Sequence, residues 1–379
     1  MSIDTSDIPA PGYFIREELE ARRWTQRDLA YVLGVKEQRL NKLLSGKYSV
    51  GAEMAAKLGA AFDVAPEFFL NLQNAYDLSR APEPDPSVAR KAALQSRLPV
   101  REMIRRGWLI ADAAPDLLEA QMVKFFELSS VGDLLNLREP AHAAKRTRYD
   151  DRTTDAQIAW LHRVRQLARD LHAPKYSAAA LRAAMPRLKS LMVAPEEARN
   201  VPRILMECGV RFVLVEGLPS EKIDGVCTWL DDSAPVVGMS TRRDRIDNFW
   251  FVLRHELEHV LSGHGRDVVR VDAELDEDAA DARDSLSDEE RLADAAAAAF
   301  CIPPKDVEVF IARKAPYISE RDVLGLAARL GVHPGIVAGQ VRKRLNRWNI
   351  FTRHLVKIRH AVSQAAVVDG WGTIAPACI

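Results

Sequence analysis

The 379-residue sequence lacks an excess of charge of either sign: its 53 lysines and arginines balance its 53 aspartates and glutamates, so the formal net charge is zero. A chain without net positive charge has no global electrostatic attraction to nucleic acid, and any nucleic-acid surface must be local. The sequence also lacks an apolar run long enough to cross a bilayer, and its N-terminus lacks the basic and apolar segments of a signal peptide. We therefore expect a soluble, cytoplasmic protein with no membrane partner.

Cysteine is scarce as well. The chain has four cysteines, at Cys208, Cys227, Cys301 and Cys378. No two of them form a CxxC pair, and their wide spacing excludes a dense disulfide framework, which fits a reducing compartment. The length itself predicts two or three domains.

The residues from Pro11 to about Ala81 carry the hydrophobic periodicity of a compact helical domain. Five helices are predicted, over Gly12–Arg22, Thr25–Leu33, Glu37–Leu44, Gly51–Phe62 and Pro66–Tyr76. Thr25 lies three residues before Asp28, which predicts a capping box at the start of the second helix. Gly34 permits the tight turn between the second helix and the third.

The string Thr-Gln-x-x-Leu-Ala-x-x-x-Gly-Val, followed by a short helix that ends in Ser-Gly-Lys, resembles the XRE-type helix-turn-helix. The flanking Pro-Gly-x-x-x-Arg-Glu-Glu-Leu and Pro-Glu-Phe-Phe-Leu-Asn-Leu segments are similar to the HigA branch of antitoxin-like repressors. The resemblance implies a double-stranded DNA operator and, in the HigA branch, a cognate toxin. A homodimer is expected because such proteins read paired half-sites.

The candidate DNA contacts lie on or beside the third helix, and the part of the DNA that each would contact is assigned by its residue type. They are Glu37 on the outward face, Gln38, Arg39 and Asn41 as readers of base edges, and Gln26, Lys42 and Lys47 as phosphate contacts. The alternative is a helix-turn-helix used only for protein contacts or dimerisation, because acidic and basic residues roughly balance in this domain.

The central motif of the chain is the HExxH sequence from His255 to His259. Two histidines four residues apart on a helix lie on one face, so that both imidazoles can meet one tetrahedral metal ion. Glu256 lies beside them, where a carboxylate can take a proton from water on the metal. The apolar flanks predict a helix that is buried on most sides, with Asp247 or Asp244 as its N-cap. The alternative is a buried helix whose histidines are only hydrogen-bonded.

A third metal ligand is available in the alanine-rich helical run that ends near Cys301. Glu290 can supply it, and by position alone Glu289 is a near-equal rival. Asp294, one turn later, can accept the second ring N–H of a ligand histidine and hold it in the correct tautomer. The alternatives are a solvated helix N-terminus for Glu290 and a surface charge for Asp294.

Three strands are predicted before the HExxH helix, over Val210–Val215, Lys222–Leu230 and Pro235–Met239. A small sheet before such a helix is the zincin plan. We expect Val236–Met239 either to be an edge strand that pairs with an extended substrate or to be an ordinary sheet strand.

The segments Asp224–Asp232 and Arg245–Phe251, the HExxH motif and the Glu290-x-x-Ala-Asp294 run together resemble the ImmA/IrrE family of metallopeptidases. The resemblance implies a gluzincin-like enzyme that cleaves a helix-turn-helix repressor under stress. It also implies Zn²⁺ held by His255, His259 and Glu290, with Glu256 as the catalytic base. Pro303 anchors the match and favours Glu290 over Glu289. Leu292 and Ala296-Ala297 depart from the family pattern.

Two segments remain. Arg266–Ser287 is rich in acidic residues and is expected to be a solvated loop, with a cover over the cleft as the alternative. The segment from Trp348 to Ile379 has no assignable pattern. His264 is expected to be an ordinary helix-end histidine, or else to assist an oxyanion.

The predicted fold class is α+β, mainly α, with an N-terminal helix-turn-helix bundle and a zincin-like (gluzincin) domain that contains a small β-sheet. The expected domains are 1–81, a helical connector at 82–194, the peptidase domain at 195–340 and a helical extension at 341–379. The expected function is a DNA-binding regulator with a fused zinc endopeptidase that controls a repressor by proteolysis. The alternative is a HigA-like antitoxin and autorepressor in which the zinc domain is a sensor or scaffold.

Overall fold

The computed structural model describes residues 8–111, 114–137, 148–149, 153–266, 268–269, 271–273 and 287–373. The chain folds into two compact units, Met1–Pro86 and Ser87–Ile379. An exposed segment without regular structure, from Pro82 to Asp85, lies at the division.

The first unit is a bundle of five helices. They are α1 (Pro11–Arg22), α2 (Gln26–Leu33), α3 (Glu37–Leu44), α4 (Ala52–Phe62) and α5 (Pro66–Arg80). The predicted capping box is present, with the Thr25 hydroxyl accepting a hydrogen bond from the Asp28 amide and the Asp28 carboxylate accepting one from the Thr25 amide. Gly34 ends α2 in the left-handed conformation with φ of 64°, which a residue with a side chain adopts only at a cost. Leu29, Leu40 and Leu58 lie in the common core.

The second unit combines helices with a small sheet. Its helices are α6 (Pro86–Arg97), α7 (Val100–Arg105), α8 (Pro115–Phe125), α9 (Asp155–Arg169), α10 (Ala178–Ser190), α11 (Val201–Glu207), α12 (Ile246–Ser262), α13 (Asp288–Cys301), α14 (Pro304–Lys314), α15 (Glu320–Leu330), α16 (Pro334–Leu345) and α17 (Arg359–Val362). Its strands are β1 (Arg148–Tyr149), β2 (Arg211–Val215), β3 (Ile223–Trp229), β4 (Pro235–Met239), β5 (Val268–Val269), β6 (Val271–Ala273) and β7 (Val367–Asp369).

Five strands form one mixed sheet in the order β6-β3-β4-β2-β7. β3 is antiparallel to both of its neighbours, β4 and β6, whereas β2 runs parallel to β4 and β7. Of the two alternatives for Val236–Met239, the edge strand is therefore wrong and the ordinary sheet strand is confirmed, because β4 has a partner on each side. A substrate strand would need an unpaired side of a strand. The side of β3 that faces away from β4 is paired with β6.

Both faces of this sheet are covered by helices. Along β2, Phe212 and Leu214 pack into a core that contains α12, whereas Val213 and Val215 pack into a second core that contains α9. This alternation follows from the two-residue period of a strand. It also explains why β2 is a nearly continuous apolar run rather than an alternating pattern.

The connector helix α9 packs closely against the sheet. The Trp160 indole donates a 3.0 Å hydrogen bond to the Val215 carbonyl. A Cβ at Gly238 would lie 2.6 Å from a methyl carbon of Val164, so glycine at this position allows α9 to approach β4. The connector thus contributes to the core of the second unit.

The C-terminal segment, which has no assignable sequence pattern, supplies the last strand of the sheet. β7 pairs in parallel with β2. At its end the fully buried Asp369 forms an ion pair with the fully buried Arg163 of α9 and accepts a 3.0 Å hydrogen bond from the Trp108 indole. Residues from the connector and from the C-terminal segment therefore meet inside the second unit.

The structure confirms the predicted fold class, which is mainly helical α+β with a small sheet. In the part of the chain that the structure describes, no helix is both long and apolar enough to cross a membrane. The described cysteines, Cys208, Cys227 and Cys301, are buried and form no disulfide bond with one another.

Candidate metal centre and nucleic-acid interface

The helix that carries the HExxH motif, α12, is the central element of the second unit. Of its 17 residues, 13 are buried. It ends at Gly263 in the left-handed conformation, with φ of 75°. Because both flanks of the motif are apolar, the helix is held on several sides and the two histidines occupy fixed positions, as the sequence predicts.

The predicted N-cap of this helix is wrong. The N-cap position is Arg245, without a side-chain hydrogen bond to the helix. Asp247 lies inside the first turn and pairs with the Arg245 guanidinium. Asp244 instead accepts hydrogen bonds from the amides of Ile358 and Arg359, at 2.9 and 2.7 Å. Tertiary contacts thus replace the local capping that the sequence suggests.

The three predicted metal ligands lie together. The Nε2 atoms of His255 and His259 are 3.0 Å apart. The Glu290 carboxylate comes from the first turn of α13 and lies 3.2 Å from His255 Nε2 and 3.7 Å from His259 Nε2. The side chain of its rival Glu289 is 57% exposed and lies 3.7 Å from His264 Nε2. The structure therefore brings Glu290, and not Glu289, to the two histidines.

The outer nitrogens of both histidines also have partners. His255 Nδ1 lies 3.0 Å from Asp294 Oδ1, the contact expected for Asp294. His259 Nδ1 lies 2.9 Å from His264 Nδ1, just beyond the end of α12. Each ring is thereby held with Nε2 directed into the cluster, which is the arrangement that a metal-binding histidine requires.

A fourth candidate ligand comes from the acidic segment. Asp272, in β6, is only 6% exposed, and its Oδ2 lies 3.6 Å from His255 Nε2. His255, His259, Asp272 and Glu290 each offer one ligand atom, and these four atoms lie within 4.8 Å of one another. A solvated loop is therefore the wrong description for Asp272, although the acidic residues from Glu274 to Asp284 lie outside the described residues.

Glu256 is fully buried beside this cluster. Among the described residues, no group donates a hydrogen bond to either of its carboxylate oxygens. Its position depends on Gly225 of β3, because a Cβ at that glycine would lie 2.2 Å from Glu256 Oε1. Burial, together with repulsion from the Asp272 carboxylate, raises the pKa of Glu256 well above its ordinary value.

The charges in this cluster fit a cation. Burial disfavours the protonated form of His255, but hydrogen bonds with Asp272, Asp294 and Glu290 outweigh it and hold the pKa of His255 well above its ordinary value. Burial also acts against ionisation of Glu290, yet the two histidines lower its pKa. Buried carboxylates that face each other without donors are costly unless a positive charge lies between them. Two imidazoles and two carboxylates form a donor set suited to Zn²⁺.

A cavity of about 260 Å³ opens at the cluster. Its lining consists of Cys227, His259, His264, Gly265, Val268, Asp272, Glu289 and Glu290. The cavity therefore gives a ligand of moderate size access to the candidate metal position.

The candidate DNA contacts are all exposed in the first unit. They are Gln26, Glu37, Gln38, Arg39, Asn41, Lys42 and Lys47. The Arg39 guanidinium lies over the Tyr48 ring, 5.1 Å from its centroid, and donates a 3.2 Å hydrogen bond to the Tyr48 hydroxyl. Glu37 forms a 3.2 Å ion pair with Arg27. Within the first unit, these residues of α3 are exposed, as those of a helix that reads a DNA groove must be.

Sequence reasoning missed Asp272, Gly225 and the contact of His264 with His259. Asp272 carried no signal because it lies in a run of acidic residues. Gly225 lies inside a strand that the sequence predicted, but its contact with Glu256 was not foreseen. An isolated glycine within a strand pattern, which often marks a close approach to the backbone, was the available signal.

Each of the two units contains a segment that matches a known protein family. The family model described as "Helix-turn-helix" matches residues 15–69, and the model described as "IrrE N-terminal-like domain", of the peptidase M78 family, matches residues 209–342. The uncharacterised HTH-type transcriptional regulator YddM of Escherichia coli (strain K12) is 36% identical over 73 residues, which are 19% of this chain and 78% of that protein.

Solved structures give matches of similar extent. The antitoxin GraA is 39% identical and covers 19% of this chain and 77% of its own, with a TM-score of 0.18. PA4674 of Pseudomonas aeruginosa, solved in complex with its operator DNA, is 31% identical and covers 19% of this chain and 80% of its own, with a TM-score of 0.19.

Proposed function

The chain belongs to the helix-turn-helix transcriptional regulators and carries a fused IrrE N-terminal-like, peptidase M78 domain, and we propose that this second part is a zinc-dependent endopeptidase that controls a repressor protein by cleaving it. The observation that carries the proposal is the convergence of His255, His259 and Glu290 beside the buried Glu256. Zinc peptidases of the gluzincin type use two histidines, one carboxylate and a separate glutamate in this relation.

In the proposed mechanism, His255, His259 and Glu290 would hold the zinc ion. When bound, zinc supplies a Lewis acid that polarises the scissile carbonyl and makes water easier to deprotonate. Glu256 takes the proton from the attacking water and delivers it to the leaving amine. Burial and the Asp272 carboxylate raise the pKa of Glu256, which makes its carboxylate a stronger base toward that proton. Asp294 holds the His255 ring so that Nε2 faces the cluster.

Zinc content is the first test. We expect purified wild-type protein to contain about one zinc per chain, and both His259→Ala and Glu290→Ala to lose nearly all of it, because each removes one of the three ligands assigned to the HExxH site. Elemental analysis after dialysis measures this.

Glu289→Ala is the matched control, because it removes the adjacent, exposed carboxylate and should keep the wild-type zinc content. Loss of zinc in Glu289→Ala with retention in Glu290→Ala would contradict the ligand assignment. A wild type that stays free of zinc after supplementation would contradict the peptidase proposal itself.

We propose that the first unit binds an operator as a homodimer and that α3 of each copy contacts the DNA bases. Replacing Arg39 by Ala should weaken binding by about 5- to 150-fold, the usual range for loss of a base-edge contact, and should relax the sequence preference at one position. Lys47→Ala should weaken binding to all duplexes by the same factor. It should also reduce the salt dependence of the binding constant by the amount expected for about one phosphate contact. Fluorescence anisotropy with a duplex selected from a random library measures both.

Arg203→Ala, an exposed arginine of the second unit, serves as the control and should bind as the wild type does. If Arg39→Ala and Lys47→Ala bind every duplex with wild-type affinity, α3 is not the reading helix. The helix-turn-helix then serves protein contacts, and the antitoxin alternative, tested by co-expression with a neighbouring toxin-like reading frame, becomes the preferred function.

A further inference from the structure

Asp272 is a fourth side chain beside the three candidate metal ligands. Catalytic zinc sites keep three protein ligands and leave the fourth position for water or substrate, whereas structural sites are closed by four. Here four side chains converge, and the fourth comes from the strand β6 rather than from a helix.

We propose that Asp272 is a displaceable fourth metal ligand and that β6 closes the site until an extended substrate segment takes its place on β3. This inference rests on the zinc site of the proposed function. It adds that the resting protein is self-blocked and that the substrate is a protein segment able to form a β-strand.

The geometry supports direct ligation. Asp272 Oδ2 lies 3.6 Å from His255 Nε2, a separation that lets one ion contact both atoms. The side chain is 6% exposed, as buried as that of Glu290. Two carboxylates and two neutral imidazoles also balance the charge of a divalent cation, so the closed state is electrically satisfied.

The strand that carries Asp272 is suited to removal. β6 has three residues and one neighbour in the described sheet, β3, with an irregularity of register between Ile223 and Gly225. By comparison β3 and β4 are buried along their full length and have partners on both sides. A short end strand has few hydrogen bonds to lose, so it opens more easily than the rest of the sheet.

The register links strand exchange to the chemistry. Asp272 lies opposite Gly225, and Gly225 is the residue that packs against the Glu256 carboxylate. An extended segment that replaced β6 on β3 would therefore run past Glu256. The same event would withdraw Asp272 from the metal, so substrate binding and opening of the coordination position become one step.

A closed structural zinc site is the competing explanation, and the two make different predictions. We would load wild type, Asp272→Ala and Asp272→Glu with zinc and with Co²⁺. Zinc affinity would be measured by chelator competition and the cobalt coordination by its absorption spectrum, with and without acetohydroxamate. Glu289→Gln is the matched control, since it removes one exposed carboxylate from the rim of the same cavity.

We expect Asp272→Ala to keep about one metal per chain while its zinc affinity falls at least about tenfold, the lower end for partners outside the ligand set. Acetohydroxamate should change the cobalt spectrum of Asp272→Ala strongly and leave the spectra of wild type and Glu289→Gln nearly unchanged. Asp272→Glu, which keeps a carboxylate, should restore much of the wild-type affinity and resistance.

Three results would overturn the proposal. If acetohydroxamate changes all the spectra alike and the affinities are equal, Asp272 is not a ligand, while the zinc site of the proposed function stands. If Asp272→Ala loses its metal as completely as His259→Ala, the site is a structural one that needs all four ligands. If no form binds metal, the proposed function fails together with this inference.

Discussion

Glu256→Gln is expected to keep about one zinc per chain and to lower the rate of peptide-bond hydrolysis by at least about 100-fold, and by up to about 10,000-fold, the range for loss of a positioned general base. The amide has nearly the shape of the carboxylate, so it fits the space beside Gly225. It cannot accept the proton of the attacking water. Zinc is measured by elemental analysis and hydrolysis by release of fluorescence from labelled casein and by fragments of the chain itself.

Glu289→Gln is the matched control for this experiment, because it makes the same chemical change at an exposed position on the cavity rim. It should retain the wild-type rate. Where the wild type is self-blocked by β6, the same comparison is made in the Asp272→Ala background. Hydrolysis by Glu256→Gln at the wild-type rate would rule out Glu256 as the base.

Asp369→Ala is expected to lower the free energy of unfolding of the second unit by about 3–5 kcal/mol, the usual cost of removing one partner from a buried ion pair. The change leaves the Arg163 guanidinium buried without its carboxylate and removes the acceptor of the Trp108 indole. Urea unfolding followed by tryptophan fluorescence measures the change in stability. Asp369→Asn, which keeps the size and one acceptor oxygen, should cost less.

An exposed ion pair provides the control for this prediction. Glu207→Ala breaks the contact with Arg187, whose side chain is half exposed, and should change stability by no more than about 1 kcal/mol. An equal, small effect of both substitutions would show that β7 does not support the second unit through this pair. The prediction needs no assumption about function, so it tests the fold independently.

Much of the candidate site follows from local sequence. The four-residue spacing of His255 and His259 places both on one helix face, and the Ala-rich run after Glu290 predicts the helix that carries the third carboxylate. The structure brings these three side chains together. The choice between Glu290 and Glu289 depended on the resemblance. Adjacent residues on a helix project from it in different directions, and the sequence does not show which direction faces the two histidines.

The features that could not be predicted depend on distant pairing. β6 and β7 have three residues each, too few for a two-residue period to be visible, and β7 pairs with a strand more than 150 residues earlier. Val236–Met239 has the same apolar composition in the middle of a sheet as at an edge, so its place depends on which strands arrive beside it. Asp272 looks like any solvated acid until β6 is paired with β3.

The pairing of β6 with β3 also has a kinetic meaning. A strand tethered within the same chain competes with any incoming segment at an effective concentration on the order of millimolar. Under the proposed exchange, β6 therefore rebinds β3 faster than a free peptide at low concentration binds there. The apparent affinity of the peptide is reduced in proportion to the fraction of time that the edge of β3 is open. A substrate held near the same unit by a second contact escapes this penalty. Selectivity in this protein would then depend on how long a partner stays beside the sheet, as well as on the sequence it presents.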